Sequence, residues 1–204
     1  QRVALWDRPP RHILDLGGGR GDLALALAQR HPAALVTCVD RNTHSLAYGE
    51  AAATRLGLSN IRFVVADLSA AAGLGPDVLS PLWSPPPAPA PAPGSAPAPV
   101  PLPVDAVLAL HACGGLTDAA LTLARAHGAQ LLAVPCCFLK SPELCPGGGW
   151  SRTLCRLAES DRRDISLRAM RAVNSRRLLE PFPGGMSSRL LAMDERLTAR
   201  NLVL

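Results

Sequence analysis

The fold turns on one stretch, Arg11-His12-Ile13-Leu14-Asp15-Leu16-Gly17-Gly18-Gly19-Arg20-Gly21-Asp22-Leu23-Ala24-Leu25-Ala26-Leu27-Ala28-Gln29. Arg11 to Leu16 reads as a buried strand running into a glycine turn, and Asp22 to Gln29 as a helix. Leu and Ala lie all round that helix, so a core helix is expected, its alanines allowing close approach to a sheet. Working outward, the pattern repeats. Leu35 to Val39 is a second strand. Asn42 or Thr43 caps a helix running to about Leu56, where Gly57 stops it. Ile61 to Ala66 is a third strand. This βαβαβ order implies a parallel sheet covered by helices on both faces.

At Ser80 the composition changes. Eleven prolines fall between Pro81 and Pro103, interleaved with Ala. Such a run enters neither a helix nor a central strand. An exposed polyproline-like or disordered loop over residues 80–103 is expected, as an insertion between the third and fourth strands. No basic residue flanks the prolines to orient a groove-binding ligand. A passive insertion is therefore the expected reading, and a docking element for a protein partner the alternative. The sheet resumes with Val104 to Leu110 and Gln130 to Val134, joined by a helix over Asp118 to Ala126 that Gly128 ends. The chain then reads as loop to Gly149. Helical segments follow at about Ser151–Ser160 and Ile165–Leu179, and Asn201 to Leu204 reads as a last strand. No internal repeat is found.

The length of 204 residues suits a single domain over 1–204, and 48% apolar residues suffice for a core. The formal net charge is +5, carried by 20 Arg and one Lys, Lys140. Arg forks onto phosphate, so a polyanionic partner fits, although codon bias toward Arg, Ala, Pro and Gly explains the same composition. Seven aromatics are too few for a base-stacking platform. No stretch reads as a membrane span or as a basic-then-apolar leader. The six cysteines, Cys38, Cys113, Cys136, Cys137, Cys145 and Cys155, are too dilute for a disulfide framework. Reduced thiols and a cytoplasmic location are expected.

The glycine turn has three competing chemistries. A phosphate-binding P-loop needs a Gly-Lys-Ser/Thr ending, which is absent. A dinucleotide fingerprint needs its third glycine at position 22, which is Asp. What remains is the [DE]-x-G-x-G-x-G turn of S-adenosylmethionine enzymes, carried by Asp15, Gly17, Gly19 and Gly21. Its glycines let the backbone approach the methionine part and ribose of the ligand. Asp15 is placed to hold the ligand's ammonium group. Asp40, ending the second strand with Arg41 beside it, is placed to accept from ribose hydroxyls. Asp67 follows the third strand and faces the adenine amino group, with the Leu68 N–H for the ring. Each acid alone also reads as a helix cap or turn residue. Together, at successive strand ends, they mark the carboxyl edge where open α/β sheets bind ligands.

The fourth strand ends in His111-Ala112-Cys113-Gly114-Gly115-Leu116-Thr117-Asp118, and the fifth in Pro135-Cys136-Cys137-Phe138. Neighbouring strands would gather His111, Cys113, Cys136 and Cys137 beside the methyl donor, with His111 also within reach of the cofactor. Residues 13–68 with these two motifs resemble the methyltransferase domain of glutathione S-transferase C-terminal domain-containing proteins and of the methyltransferase-like protein 25 group. The tRNA position-4 2′-O-methyltransferases share a similar His-x-Cys-Gly stretch and Cys-Cys pair, but Phe138 and Leu139 stand where those enzymes carry histidines. The resemblance implies a doubly wound, Rossmann-like class I methyltransferase sheet and S-adenosylmethionine as cofactor, and much less about the acceptor; the tRNA cousins and the basic C-terminal helices make RNA the leading class, with a protein or small molecule as alternatives.

Four roles are open for the Cys/His cluster. His111 can take the proton of an attacking nucleophile. Cys136 can act as a covalent nucleophile. One His and three Cys are a permissible zinc set, but adjacent Cys136 and Cys137 would diverge off a strand, so no metal ligand is assigned. The thiols can also simply pack. Lys140 lies past the fifth strand, within reach of a phosphate. Arg162, Arg163, Arg168, Arg171, Arg176 and Arg177 make the last helices basic, read as a solvated face or an RNA track. The non-enzymatic rival is a degenerate methyltransferase fold serving as an interaction module.

Overall fold

The computed structural model describes residues 8–68, 103–138, 149–179, 189–192 and 202–203. The elements run β1 (His12–Leu16), α1 (Asp22–Arg30), β2 (Leu35–Asp40), α2 (Thr43–Arg55), β3 (Ile61–Val65), β4 (Ala106–Leu110), α3 (Gly115–His127), β5 (Gln130–Val134), α4 (Gly149–Ala158), α5 (Arg163–Arg177), β6 (Leu191–Ala192) and β7 (Leu202–Val203). The five long strands form one parallel sheet in the order β3-β2-β1-β4-β5. The order reverses direction beside β1. A doubly wound sheet opens a crevice at such a point, outside the carboxyl ends of its strands. β6 and β7 pair antiparallel as a separate ribbon.

Alternation along β1 explains the two layers. Ile13 faces a core shared with Val36, Cys38, Leu46, Ala24 and Leu27, which seats α1 and α2. Leu14 and Leu16 face the opposite core, with Val39, Val107, Ala120 and Leu123, which seats α3. A smaller cluster of Phe138, Cys155, Ala158, Ala169, Met170 and Val173 joins α4 and α5 to the loop after β5. Burial of the Val, Leu, Ile, Phe and Met side chains among these contributes roughly 1.5–3 kcal/mol each.

Two polar devices hold β1 in the sheet. Asp105 Oδ2 accepts from the Arg11 backbone N–H at 2.7 Å, tying the start of β1 to the chain entering β4. The buried His12 ring meets Thr37 Oγ1 at 3.0 Å, and the same hydroxyl accepts from Arg62 Nε at 2.7 Å. Asn42 caps α2 as expected, its side chain accepting from the Ser45 N–H, and Gly57 follows the last turn at φ +66°.

Several expectations need correction. α1 is not buried all round: Ala26, Gln29 and Arg30 are exposed, so only one stripe packs. α3 begins at Gly115 rather than Asp118, because Gly114 at φ +60° turns the chain early and Thr117 Oγ1 donates to the Ala112 carbonyl within that turn. The ribbon strand β6 was not foreseen, since Leu191–Ala192 is too short to carry a period. The proline-rich stretch, apart from Pro103, lies outside the described residues, as do Lys140 and Cys145. Among the described residues no helix is long and apolar enough to cross a membrane.

Candidate active site

Parallel register brings the carboxyl ends of the strands to one edge: Leu16 pairs with Val39, Asp40 with Val65, and Leu110 with Val134. The glycine turn leaves this edge from β1. Gly17 and Gly18 both donate to the Val39 carbonyl, at 2.8 and 3.2 Å, which pins the turn to β2. Gly17, Gly19 and Gly21 all take positive φ, a conformation in which a Cβ is strained. Gly18 is required by contact instead: a Cβ there would lie 2.6 Å from Cys38 Sγ and 2.7 Å from Asp15 Oδ2. Above Gly19 the space is open, with no atom within 4 Å of an added Cβ.

Asp15 sits beneath this turn, 2% exposed, and its Oδ2 has no hydrogen-bond partner. Burial, then the nearby Asp40 carboxylate, push its pKa up to about 7, against a smaller downward pull from the Ala24 N–H in the first turn of α1. A buried carboxylate with an unmade bond is costly unless a donor completes it. Asp40 is partly used by the fold: Oδ2 accepts from the Gly19 N–H at 2.9 Å and Oδ1 from the Asn42 N–H at 2.8 Å. A carboxylate oxygen carries a second lone pair, so each still has capacity for a hydroxyl. Arg41 and Asp67 are exposed at the same edge, and Leu68 is buried in the core with only its backbone available. Beyond the expected residues, Gly49 of α2 shapes the same wall, since a Cβ there would meet Phe63 at 2.4 Å and the Arg20 carbonyl at 2.6 Å. A lone helical glycine gave no signal for this in the sequence.

At the β4–β5 end, His111 is exposed and sits at φ +55° among the described residues, where it is the one non-glycine with positive φ. Its N–H donates to the Val134 carbonyl at 2.9 Å, so the strained turn is anchored to β5. The Gly114 N–H donates to the Cys137 carbonyl at 3.2 Å, joining the two cysteine-bearing loops. Cys113 Sγ lies 2.9 Å from Cys136 Sγ, and Cys136 Sγ lies 3.6 Å from Cys137 Sγ. The expected divergence of the adjacent pair does not occur. β5 ends at Val134, and residues 135–137 are no longer strand, so the alternation of a pleated strand does not apply to them. Burial pushes the Cys113 thiol up, but hydrogen bonds from Cys136 and Cys137 outweigh it and the net shift is downward. Burial and then the neighbouring Cys113 and Cys137 push Cys136 up. The three thiols thus share their protons within one cluster, and the thiolate is the reactive form of any of them.

Arg177 is also corrected. It does not belong to a solvated basic face: it is 7% exposed and forks onto Asp118 of α3, with Nε 2.9 Å from Oδ1 and Nη2 3.0 Å from Oδ2. Nη2 also donates to the Gly114 carbonyl at 3.1 Å, and the guanidinium carbon stands 5.8 Å from the Phe138 ring centre. One side chain of α5 thus braces both cysteine loops. Arg162, Arg163, Arg168, Arg171 and Arg176 are exposed.

Residues 4–141 match the family described as methyltransferase domain, and the chain belongs to that family. It is a Rossmann-like methyltransferase domain, and the cofactor of such domains is S-adenosylmethionine. Among curated relatives, the glutathione S-transferase C-terminal domain-containing protein of Mus musculus is 25% identical over 131 residues, 64% of this chain and 16% of that protein. The release factor glutamine methyltransferase of Escherichia coli (strain K12) is 38% identical over 74 residues, 36% of this chain and 27% of that protein. Among solved structures, the N-terminal domain of EvdMO1 with SAH bound superposes with a TM-score of 0.41 at 20% identity, over 61% of this chain and 43% of that one. The chain therefore spans well under half the length of these curated relatives.

The residues present fit that cofactor. The unpartnered Asp15 oxygen suits its ammonium group, the open surface above Gly19 suits close approach of its backbone-like part, and Asp40 retains capacity for ribose hydroxyls.

Proposed function

We propose that this domain transfers a methyl group from S-adenosylmethionine to an RNA acceptor presented at the β4–β5 end of the sheet edge. The observation that carries methyl transfer is the buried, unpartnered Asp15 oxygen beneath a glycine turn whose outer face is open. A fold used only as a scaffold gains nothing from that uncompensated carboxylate.

The cofactor supplies a methyl carbon on a positively charged sulfur, already a good leaving system. The protein's contribution is alignment, water exclusion and handling of one proton. Asp15 and Asp40 fix the ligand from two sides. His111 accepts the proton that the acceptor's oxygen or nitrogen loses as its bond to the methyl carbon forms. Its exposure and its anchored, left-handed backbone at the end of β4 support that role. The exposed arginines of α5, Arg168 and Arg171 three apart on one helix, support an acceptor with a phosphate backbone. Cysteines held as thiols rather than disulfides support residence in a reducing, cytoplasmic compartment.

Two measurements test this. Calorimetric titration with S-adenosylmethionine is expected to give binding that Asp15→Asn weakens strongly. Incubation of the chain with labelled donor and total cellular RNA is expected to give label that ribonuclease removes. Donor binding with label only in protease-sensitive material would replace RNA by a protein acceptor. A folded chain that binds no donor would return the fold to the scaffold reading.

A further inference from the structure

Three thiols, of Cys113, Cys136 and Cys137, lie with all their sulfurs within 4.8 Å of one another. They come from two loops that the fold holds together independently of the sulfurs. The Gly114 N–H bonds the Cys137 carbonyl, and Arg177 grips the Gly114 carbonyl while covering the Phe138 ring. The convergence is therefore built by the backbone and by α5, not by an accident of one rotamer. We propose that Cys113, Cys136 and Cys137 hold a single zinc ion as thiolates, with one coordination position left open.

The distances favour one ion over the other arrangements of three cysteines. A Zn–S bond of about 2.3 Å at tetrahedral angles sets the sulfurs roughly 3.8 Å apart. The observed pairs, at 2.9 and 3.6 Å, lie somewhat inside that spacing, and no two of the three sulfurs are more than 4.8 Å apart, so a small outward adjustment of the side chains seats one ion. A disulfide needs about 2.05 Å, uses two sulfurs and gives the third no reason to be there. An iron–sulfur cluster places each cysteine on a different iron, which spreads the sulfurs wider than this. Thiolate softness selects zinc over magnesium or calcium. Binding displaces the three thiol protons to solvent, leaving a site of net charge −1 before a fourth ligand joins.

His111 does not complete the set, because its ring nitrogens fall outside the group of donors that converge. Among the described residues no further side chain joins the three sulfurs, which leaves the fourth position to a water or to a heteroatom of the acceptor. That last role rests on the methyl-transfer reading, whereas the presence of the ion does not.

The test uses the 204-residue chain purified without chelator. Elemental analysis is expected to give about one zinc per chain, since an apparent affinity typical of thiolate sites survives purification. Cobalt(II) added to the chelator-stripped chain is expected to give a sulfur-to-metal charge-transfer band with the intensity of three thiolates. Cys113→Ser, Cys136→Ser and Cys137→Ser each lower the band and the zinc content, with circular dichroism reporting the fold. Cys155→Ala, in the separate α4–α5 core, leaves both unchanged. A folded wild-type chain with neither zinc nor a cobalt charge-transfer band overturns the proposal. So does mass spectrometry of the chain, alkylated without reductant, that finds a Cys113–Cys136 disulfide and no metal. These readouts are independent of methyl transfer, so the site and the proposed activity fail separately.

Discussion

Arg177 Nε lies 2.9 Å from Asp118 Oδ1 and Nη2 lies 3.0 Å from Oδ2, a two-pronged pair between residues 59 apart in sequence. The arginine side chain is 3% exposed and the aspartate 21%, so water screens the pair weakly. A third bond, Nη1 to Asn174 Oδ1 at 3.0 Å, fixes the guanidinium against its own helix. Because Nη2 also reaches the Gly114 carbonyl, α5 is fastened to the loop that carries His111 and Cys113.

Arg177→Ala is expected to destabilise the fold by about 3 kcal/mol or somewhat more, because it leaves an acid and a carbonyl without their partner. Arg177→Lys should recover only part of this, since an ammonium has no planar fork to hold two carboxylate oxygens at once. Urea denaturation of the three chains measures it. A loss below about 0.5 kcal/mol would mean that the pair behaves as an exposed ion pair.

Gly18 and Gly19 should respond oppositely to alanine. At Gly18 the added Cβ collides with Cys38 Sγ and Asp15 Oδ2, both held in the core, so stability should fall clearly. At Gly19 the methyl group enters open space and the cost is the strained backbone alone, about 1–2 kcal/mol. Gly19→Ala should therefore fold, yet bind S-adenosylmethionine at least tenfold more weakly, about 1.4 kcal/mol, because the methyl group occupies the ligand's approach. Thermal melts and calorimetry separate the two effects. Unchanged donor affinity in Gly19→Ala would place the ligand away from this turn.

These two glycines also show what the sequence could convey. Strand, glycine turn and helix are encoded within about 20 local residues, by a short apolar run, a cluster of glycines and a Leu/Ala-rich stretch. The sheet edge followed from three such units, and Asp15, Asp40 and His111 followed from the strand ends. The long-range pairings were hidden. Arg176 and Arg177 are adjacent basic residues at a helix end and look alike in the sequence; only Asp118, on another helix, distinguishes the buried one. The gathering of Cys113 with Cys136 and Cys137 follows from neighbouring strands; what a strand reading of residues 136–137 hides is that the adjacent pair converges. Pro135, which has no N–H for a ladder, was the available sign that the strand had ended.

Asp15 predicts a pH dependence whose sign is fixed by its shift. Its pKa rises from the unfolded value of 3.8 to about 7 in the folded chain, chiefly through burial. Between those values the native state holds the proton more tightly than the unfolded state does. The contribution of Asp15 to stability is thus fully present below about pH 4 and is lost as pH rises through about 7. Asp15→Asn should flatten that decline, seen in urea denaturation across the range. The ammonium of the cofactor favours the ionised acid, so donor affinity should rise with pH toward 7. At pH 7 binding should release roughly half a proton, measurable by calorimetry in buffers of different ionisation enthalpy. Uptake of protons, or affinity that falls over this range, would remove Asp15 from the ligand's ammonium group.

His111 permits the sharpest separation of stability from activity. A non-glycine at φ +55° costs roughly 1 kcal/mol that glycine would not incur. Glycine also loses more backbone entropy on folding, which offsets part of the relief. His111→Gly should therefore leave stability unchanged or raise it slightly, while the Val134 carbonyl keeps its backbone donor. Turnover should fall by about 100-fold or more, the usual contribution of a positioned general base, with donor affinity little changed. His111→Asn tests the same residue by another route, because Asn tolerates the left-handed conformation but takes no proton near neutral pH. Loss of activity in both variants, each as stable as the parent, assigns the strained turn to proton transfer. Full turnover in His111→Asn would show that the position needs only a polar side chain able to adopt that backbone, and the proton acceptor would have to be sought in the solvent or the substrate.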